Sequence, residues 1–201
     1  MFRLIETIKC NDGKLHNLQY HNYRLNKSRR ELFRIYDEMK LENHISVPEN
    51  AQTGNFKCRL IYSDKIEKTE FIPYLPRKIK SVKLLNNNEI DYTYKYENRN
   101  LLNQLFEARG DCDDILIIKN GRVTDSFYAN VVFYDGQKWW TPDTPLLPGT
   151  QRARLIESNQ IEETAITTAD IFKYEKVGLI NAMQNLDEMP VIPIQNIKSN
   201  N

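Results

Sequence analysis

Residues 114–141 read DILIIKNGRVTDSFYANVVFYDGQKWWT, and this stretch decides the fold. The apolar run Ile115-Leu116-Ile117-Ile118 suits a buried strand and is far too short to span a bilayer. Asn120-Gly121 and Asp135-Gly136 are dipeptides that tolerate positive φ, which a tight hairpin turn demands. They cut the stretch into strands at Asp114–Lys119, Arg122–Phe127, Asn130–Tyr134 and Lys138–Thr141. The result is an antiparallel meander.

On its N-terminal side, 99–109 places Leu101, Leu102, Leu105 and Phe106 on one face of a short helix. Before it, Asn86-Asn87-Asn88-Glu89 is a polar break with nothing to bury and reads as a linker. Strand patterns occupy 56–63, 66–74 and 79–85, and 41–55, with Pro48 and Gly54, reads as a loop. The spacing of Leu25, Leu32, Tyr36 and Met39 predicts a helix over 21–39, preceded by a hairpin that turns at Asn11-Asp12-Gly13-Lys14. On the C-terminal side, Pro148-Gly149 introduces a helix over 150–158. A strand (163–167), a short helix (169–174) and two more strands (177–183, 191–195) follow. This pattern predicts an α+β chain in two lobes. The smaller covers residues 1–85, a linker 86–92, and the larger 93–201.

Several chemistries are poor fits. Lys plus Arg (28) nearly cancel Asp plus Glu (27), so the chain has no overall electrostatic draw for nucleic acid or anionic membrane. No apolar segment resembles a signal peptide or membrane span, and a cytoplasmic protein is expected. No two of the seven glycines lie closer than eleven positions, which excludes a Walker loop and a dinucleotide fingerprint. Cys10, Cys58 and Cys112 are far apart and form no Cys-x-x-Cys, so they read as reduced, buried thiols. All three histidines fall within the first 44 residues, which leaves little for a zinc site or a serine–histidine triad.

Three segments could carry chemistry. Lys95 sits among tyrosines in Tyr92-Thr93-Tyr94-Lys95-Tyr96, a setting that favours a neutral, nucleophilic amine. On alternation alone it reads more readily as a lysine on the exposed face of a strand. Asp125, in Val123-Thr124-Asp125, would be a carboxylate in a half-buried strand, seeking a protonated partner or capping a turn. Pro148-Gly149 then Thr150 and Gln151 offers free amides at a helix start, which suit a phosphate but more often meet water. Arg59 alternates onto one face with Ile61 and reads as a carboxylate anchor for substrate or as a surface ion pair.

Taken together and in order, these segments resemble the class IV aminotransferases, the fold-type IV enzymes that use pyridoxal 5′-phosphate. Glu6-Thr7-Ile8, Gly13 and His21-Asn22-Tyr23-Arg24-Leu25 match the opening pattern, and Lys95 with Asn98 matches the cofactor lysine. Val123-Thr124-Asp125 closed by Asn130, Thr141-Pro142, and Leu147 to Arg152 match the later motifs. Asn181-Ala182 ahead of Pro190-Val191 is more similar to the 4-amino-4-deoxychorismate lyase branch. The resemblance implies a two-lobe, D-amino-acid aminotransferase-like fold and a homodimer acting on a small-molecule substrate. It implies that Lys95 holds the cofactor aldehyde and shuttles protons, and that Asp125 pairs with the pyridine nitrogen. Arg24, with the amides of Thr150 and Gln151, would bind the phosphate, Leu147 would pack on the ring, and Asn181 and Ala182 would line the cofactor. Thr7 would stand near the reacting atoms.

The chain departs from the family in three places. Asp125 stands where Glu is usual, Gln151 where Thr is usual, and the chain opens at the motif without the segment that precedes it elsewhere in the family. The resemblance leaves three readings: a lyase releasing pyruvate and 4-aminobenzoate for folate synthesis, an aminotransferase, and a non-catalytic metabolite-binding descendant. The first is favoured by the Asn-Ala pair.

Overall fold

The computed structural model describes residues 2–199; Met1, Asn200 and Asn201, which the expected lobes include, lie outside them. The chain divides into two compact units, Met1–Pro76 with Tyr94–Asn98, and Arg77–Thr93 with Arg99–Asn201.

The first unit is a four-stranded sheet backed by a helix. Strand β1 (Leu4–Asn11) turns through Asp12 and Gly13 into the two-residue β2 (Lys14–Leu15). Its main partner is β3 (Asn55–Tyr62), which pairs in turn with β4 (Ile66–Pro73), in the order β2-β1-β3-β4. Alternation turns Leu4, Ile8, Cys58 and Leu60 toward Leu25 of helix α1 (Leu18–Phe33) and toward Leu41, forming the core. The helix starts earlier and stops earlier than the expected 21–39. Arg34 adopts a left-handed conformation (φ 60°), and Asn26 then ties the returning chain through both backbone groups of Met39, at 2.8 and 2.9 Å. Met39 still packs on the core, which is why its spacing looked helical. The expected loop 41–55 contains two 3₁₀ turns, Leu41–Asn43 and Glu49–Ala51.

The second unit is built on a nine-stranded sheet. Strand β5 (Val82–Asn86) pairs in parallel with β6 (Asp114–Lys119), and helix α2 (Asn100–Glu107) lies between them in sequence, as a parallel pair requires. The meander follows as β7 (Arg122–Ser126), β8 (Asn130–Tyr134) and β9 (Trp139–Pro142). Both turn residues between β6 and β7 have positive φ, Asn120 at 51° and Gly121 at 74°. Helix α3 (Thr150–Glu157), β10 (Glu162–Thr164), β11 (Lys176–Ile180), β12 (Val191–Pro193) and β13 (Ile197–Lys198) complete the unit. The strand order is β10-β9-β8-β7-β6-β5-β13, with β11 on β8 and β12 on β11. The expected helix at 169–174 is a single 3₁₀ turn, Ile171–Lys173.

The division of the chain differs from the expected boundaries at 85 and 92. Strand β5 is claimed by β6, which moves the boundary back to Pro76. The polar run after it is not a free linker: Ile90 and Tyr92 are buried, and Lys119 Nζ donates to the Ile90 carbonyl at 2.6 Å.

Candidate active site

In the first unit, β1 carries an acid on its core face. Glu6 lies between Leu4 and Ile8 in the alternation and is completely buried. Such an ion survives only with partners, and α1 supplies two from one face, His21 and Arg24, three residues apart. Arg24 grips Glu6 with Nε on Oε1 (2.8 Å) and Nη2 on Oε2 (2.6 Å), and His21 Nδ1 lies 2.6 Å from Oε2. Burial pushes the Glu6 carboxyl up, but the Arg24 charge and the His21 and Arg24 hydrogen bonds outweigh it and bring it down to about 2. Burial also holds His21 below its ordinary range, opposing Glu6, and the charges of Arg24 and Lys95 add to the lowering. Lys95 is thus electrostatically coupled to this cluster.

The lysine reaches the first unit on the short returning segment. Its carbonyl accepts from Ile5 N at 2.9 Å, Tyr96 bridges Leu4, and Glu97 N donates to the Arg3 carbonyl at 2.9 Å. Tyr94 and Tyr96 pack on the core on either side of it, and Lys95 itself is half-buried. Thr7 and Arg59 are direct cross-strand partners on the opposite face of the sheet from Glu6. Arg59 donates to Glu70 Oε2 (3.1 Å) and Glu97 Oε1 (3.3 Å), so of its two sequence readings the structure supports the ion pair.

In the second unit, Asp125 lies within the buried run of β7 and pairs with Asn130 across a tight turn. Asn130 Nδ2 donates to Asp125 Oδ1 (2.7 Å) and to the Leu147 carbonyl (2.8 Å), and Leu147 N donates to Oδ2 (2.9 Å). One side chain therefore locks the acid to the loop that leads into α3. Gly149 is needed there, because a Cβ at that position would lie 2.0 Å from Asn130 Oδ1. Burial pushes the Asp125 carboxyl up to about 6, against hydrogen bonds from Leu147, Asn130 and Leu146 and the charge of Arg152.

Thr150 and Gln151, both buried, open α3. The Gln151 side chain is committed to the scaffold: Nε2 donates to the Gln184 carbonyl (2.9 Å) and Oε1 accepts from Arg154 (3.1 Å). It offers a ligand no side-chain grip, as a threonine would. Arg152 donates to the Pro142 carbonyl and to Glu163, tying α3 to the end of β9. Asn181 and Ala182 follow directly on β11, half-buried, and Asn181 Oδ1 accepts from Met183 N at 2.9 Å.

Sequence reading missed the partnership of Glu6 with Arg24 and His21, and the anchoring by Asn130. The signal for the first was present: an acid at the centre of an apolar alternation, and a basic pair at helical spacing.

These groups fit pyridoxal 5′-phosphate. Asp125 is a buried carboxylate bonded to neutral donors, so a protonated ring nitrogen would complete its charge. The first turn of α3 suits the phosphate dianion. The acid also gives a test without ligand. From an ordinary 3.8 up to about 6, the folded state keeps the Asp125 proton that the unfolded state has released. Rising pH across that window therefore favours unfolding of the cofactor-free protein. The stability contribution is fully present below pH 4 and is lost by about pH 6, amounting to about 3 kcal/mol. Urea unfolding of wild type and Asp125→Asn from pH 4 to 7 should show the two curves diverging by that amount; parallel curves would mean that Asp125 ionises freely.

The pattern of the amino-transferase class IV family matches residues 3–197. An uncharacterized protein of Haemophilus influenzae is 37% identical over 191 residues, covering 92% of this chain and all of that one. A crystal structure of a candidate 4-amino-4-deoxychorismate lyase from Haemophilus somnus has 34% identity and a TM-score of 0.86, with 92% of this chain and 98% of that one covered. A hypothetical aminotransferase of Mycobacterium tuberculosis, in its PLP-bound form, shares the fold at 20% identity and a TM-score of 0.78 over 98% of this chain and 81% of that one.

Proposed function

The chain belongs to the class IV aminotransferase family and is a pyridoxal-phosphate enzyme of fold-type IV, α+β architecture, and from that premise we propose that it is a 4-amino-4-deoxychorismate lyase. The observation that carries this reading is the likeness to the Haemophilus somnus structure over nearly the full length of both chains. In this reading the chain releases pyruvate and leaves 4-aminobenzoate for folate synthesis, in the cytoplasm, as a homodimer.

Pyridoxal 5′-phosphate, when bound, supplies an electron sink for negative charge at the substrate α-carbon. Lys95 would hold the cofactor aldehyde and, once displaced there by the substrate amine, would as a free amine take the proton from that carbon and return one to the departing enolpyruvyl side, assisted by Thr7. Asp125 holds the proton on the ring nitrogen, and Asn130 keeps the acid aimed. The amides of Thr150 and Gln151 take the phosphate together with Arg24. Leu147 packs on the ring, and Asn181 and Ala182 close the cofactor side.

A lyase regenerates itself without an amino acceptor, whereas an aminotransferase stalls until a 2-oxo acid arrives. Supplied with aminodeoxychorismate alone, the protein should release pyruvate and 4-aminobenzoate over many turnovers. One turnover followed by a stall that 2-oxoglutarate relieves would make it an aminotransferase. Neither reaction, with no cofactor retained, would favour a non-catalytic binder.

A further inference from the structure

Three of the arginines already described are neutralised by carboxylates: Arg24 by Glu6, Arg59 by Glu70 and Glu97, and Arg152 by Glu163. Arg99 differs. Among the described residues no carboxylate is ion-paired with it. Its guanidinium carbon lies 4.6 Å from the ring centre of Phe127, 4.7 Å from that of Tyr128 and 5.8 Å from that of Tyr92. One Nη donates to the Phe127 carbonyl, and Nε is buried without a hydrogen-bond partner. Aromatic faces attract a cation but leave its charge and its donors unsatisfied. A half-buried guanidinium in that state is prepared for an anion.

The position of this charge is fixed. Phe127 and Tyr128 are the second and third residues after Asp125, on the turn between β7 and β8. That turn is braced by Ser126, whose hydroxyl bonds both backbone groups of Ala129, and by Phe127 N on Asp114 Oδ1 at 3.2 Å. Arg77 also lies over Tyr128, 5.3 Å from its centre, but it faces the Asp114 carboxylate at 3.7 Å. Tyr128 remains 52% exposed. Arg99, without a carboxylate, thus stands beside the half-exposed Tyr128, which follows the acid assigned to the cofactor by three residues.

We propose that Arg99 binds the carboxylate of a six-membered-ring acid, with the ring lying beside Tyr128. Arg99 then takes a substrate-anchoring role of the kind the sequence offered for Arg59. The ring-acid class rests on the lyase reading, because that substrate bears a ring carboxylate; an aminotransferase of aliphatic amino acids has no such group.

The test is binding to the cofactor-loaded protein, with benzoate and its neutral isostere benzamide as probes. Wild type should bind benzoate at least about tenfold more tightly than benzamide. Arg99→Met should weaken benzoate by roughly 10- to 100-fold while leaving benzamide binding and cofactor absorbance unchanged, and Arg99→Lys should fall between. In a crystal of the wild-type protein with benzoate, which needs no variant to fold, the carboxylate should sit on Arg99. Equal binding of the two probes, an undiminished benzoate preference in Arg99→Met, or benzoate bound elsewhere in the crystal would overturn the assignment. Failure of the lyase reading appears instead in the pyruvate assay and leaves the benzoate preference of Arg99 intact.

Discussion

Lys95→Ala is expected to lower turnover by about 10²–10⁴-fold or more, the largest catalytic effect of any single change in this chain. No other residue assigned to the site carries an amine, so nothing replaces its proton transfer. The backbone should not register the change, since the tie of the returning segment to β1 runs through the Lys95 carbonyl and the alanine backbone keeps it. Thermal unfolding of the variant should match wild type while activity disappears. In the wild-type protein, borohydride should fix the cofactor to the peptide containing Lys95. A label on another lysine, or a variant that keeps a tenth of its turnover, would refute the assignment.

The second large effect concerns stability. Arg24→Ala strands the fully buried Glu6 carboxylate with His21 as its remaining partner in the cluster, and should cost about 3–5 kcal/mol in urea unfolding at pH 7. The loss should shrink in acid, because protonating Glu6 removes the charge that Arg24 neutralises. Between 4.5 and about 2 the folded wild type holds Glu6 ionised and the unfolded chain does not, so its stabilisation is present above pH 4.5 and lost as pH falls toward 2. The double variant Glu6→Gln with Arg24→Met should recover more than half of the loss, since glutamine still accepts from His21 and no charge is stranded. Cofactor affinity measured in that folded double variant then reports the phosphate role of Arg24 separately. A single variant as stable as wild type would mean that water reaches Glu6.

How far the sequence is legible follows from how local each determinant is. Asn120-Gly121 specifies its own hairpin by backbone sterics, so the meander was readable to within a residue or two. The stop of α1 at Arg34 was not, because a left-handed arginine carries no sequence mark and the apolar spacing continues to Met39. Asn86-Asn87-Asn88-Glu89 looked like a linker because polarity is local, while the burial of Ile90 and Tyr92 comes from the distant β6. Among site residues, Asp125 and Asn130 face one another across a short turn and were in reach of spacing arguments. The carboxylates that hold Arg59 and the Gln184 carbonyl that holds Gln151 lie 11 to 38 residues away along the chain, and no periodicity could have named them.

The return of Tyr94–Asn98 to the first unit has a consequence for synthesis on the ribosome. Residues up to Pro76 emerge first, yet the edge that pairs with Leu4 and Ile5 comes only after 17 intervening residues, on a stretch tethered at both ends to the other unit. The nascent first unit therefore waits with that edge of β1 uncovered. Unpaired edges of this kind invite association with neighbouring chains. A fragment ending at Pro76 would carry the same defect permanently and should aggregate, whereas adding residues 94–98 through a short linker should keep it in solution. The segment that carries Lys95 is in this sense also the closing piece of the first folding unit, so vectorial folding cannot finish the scaffold before that lysine arrives.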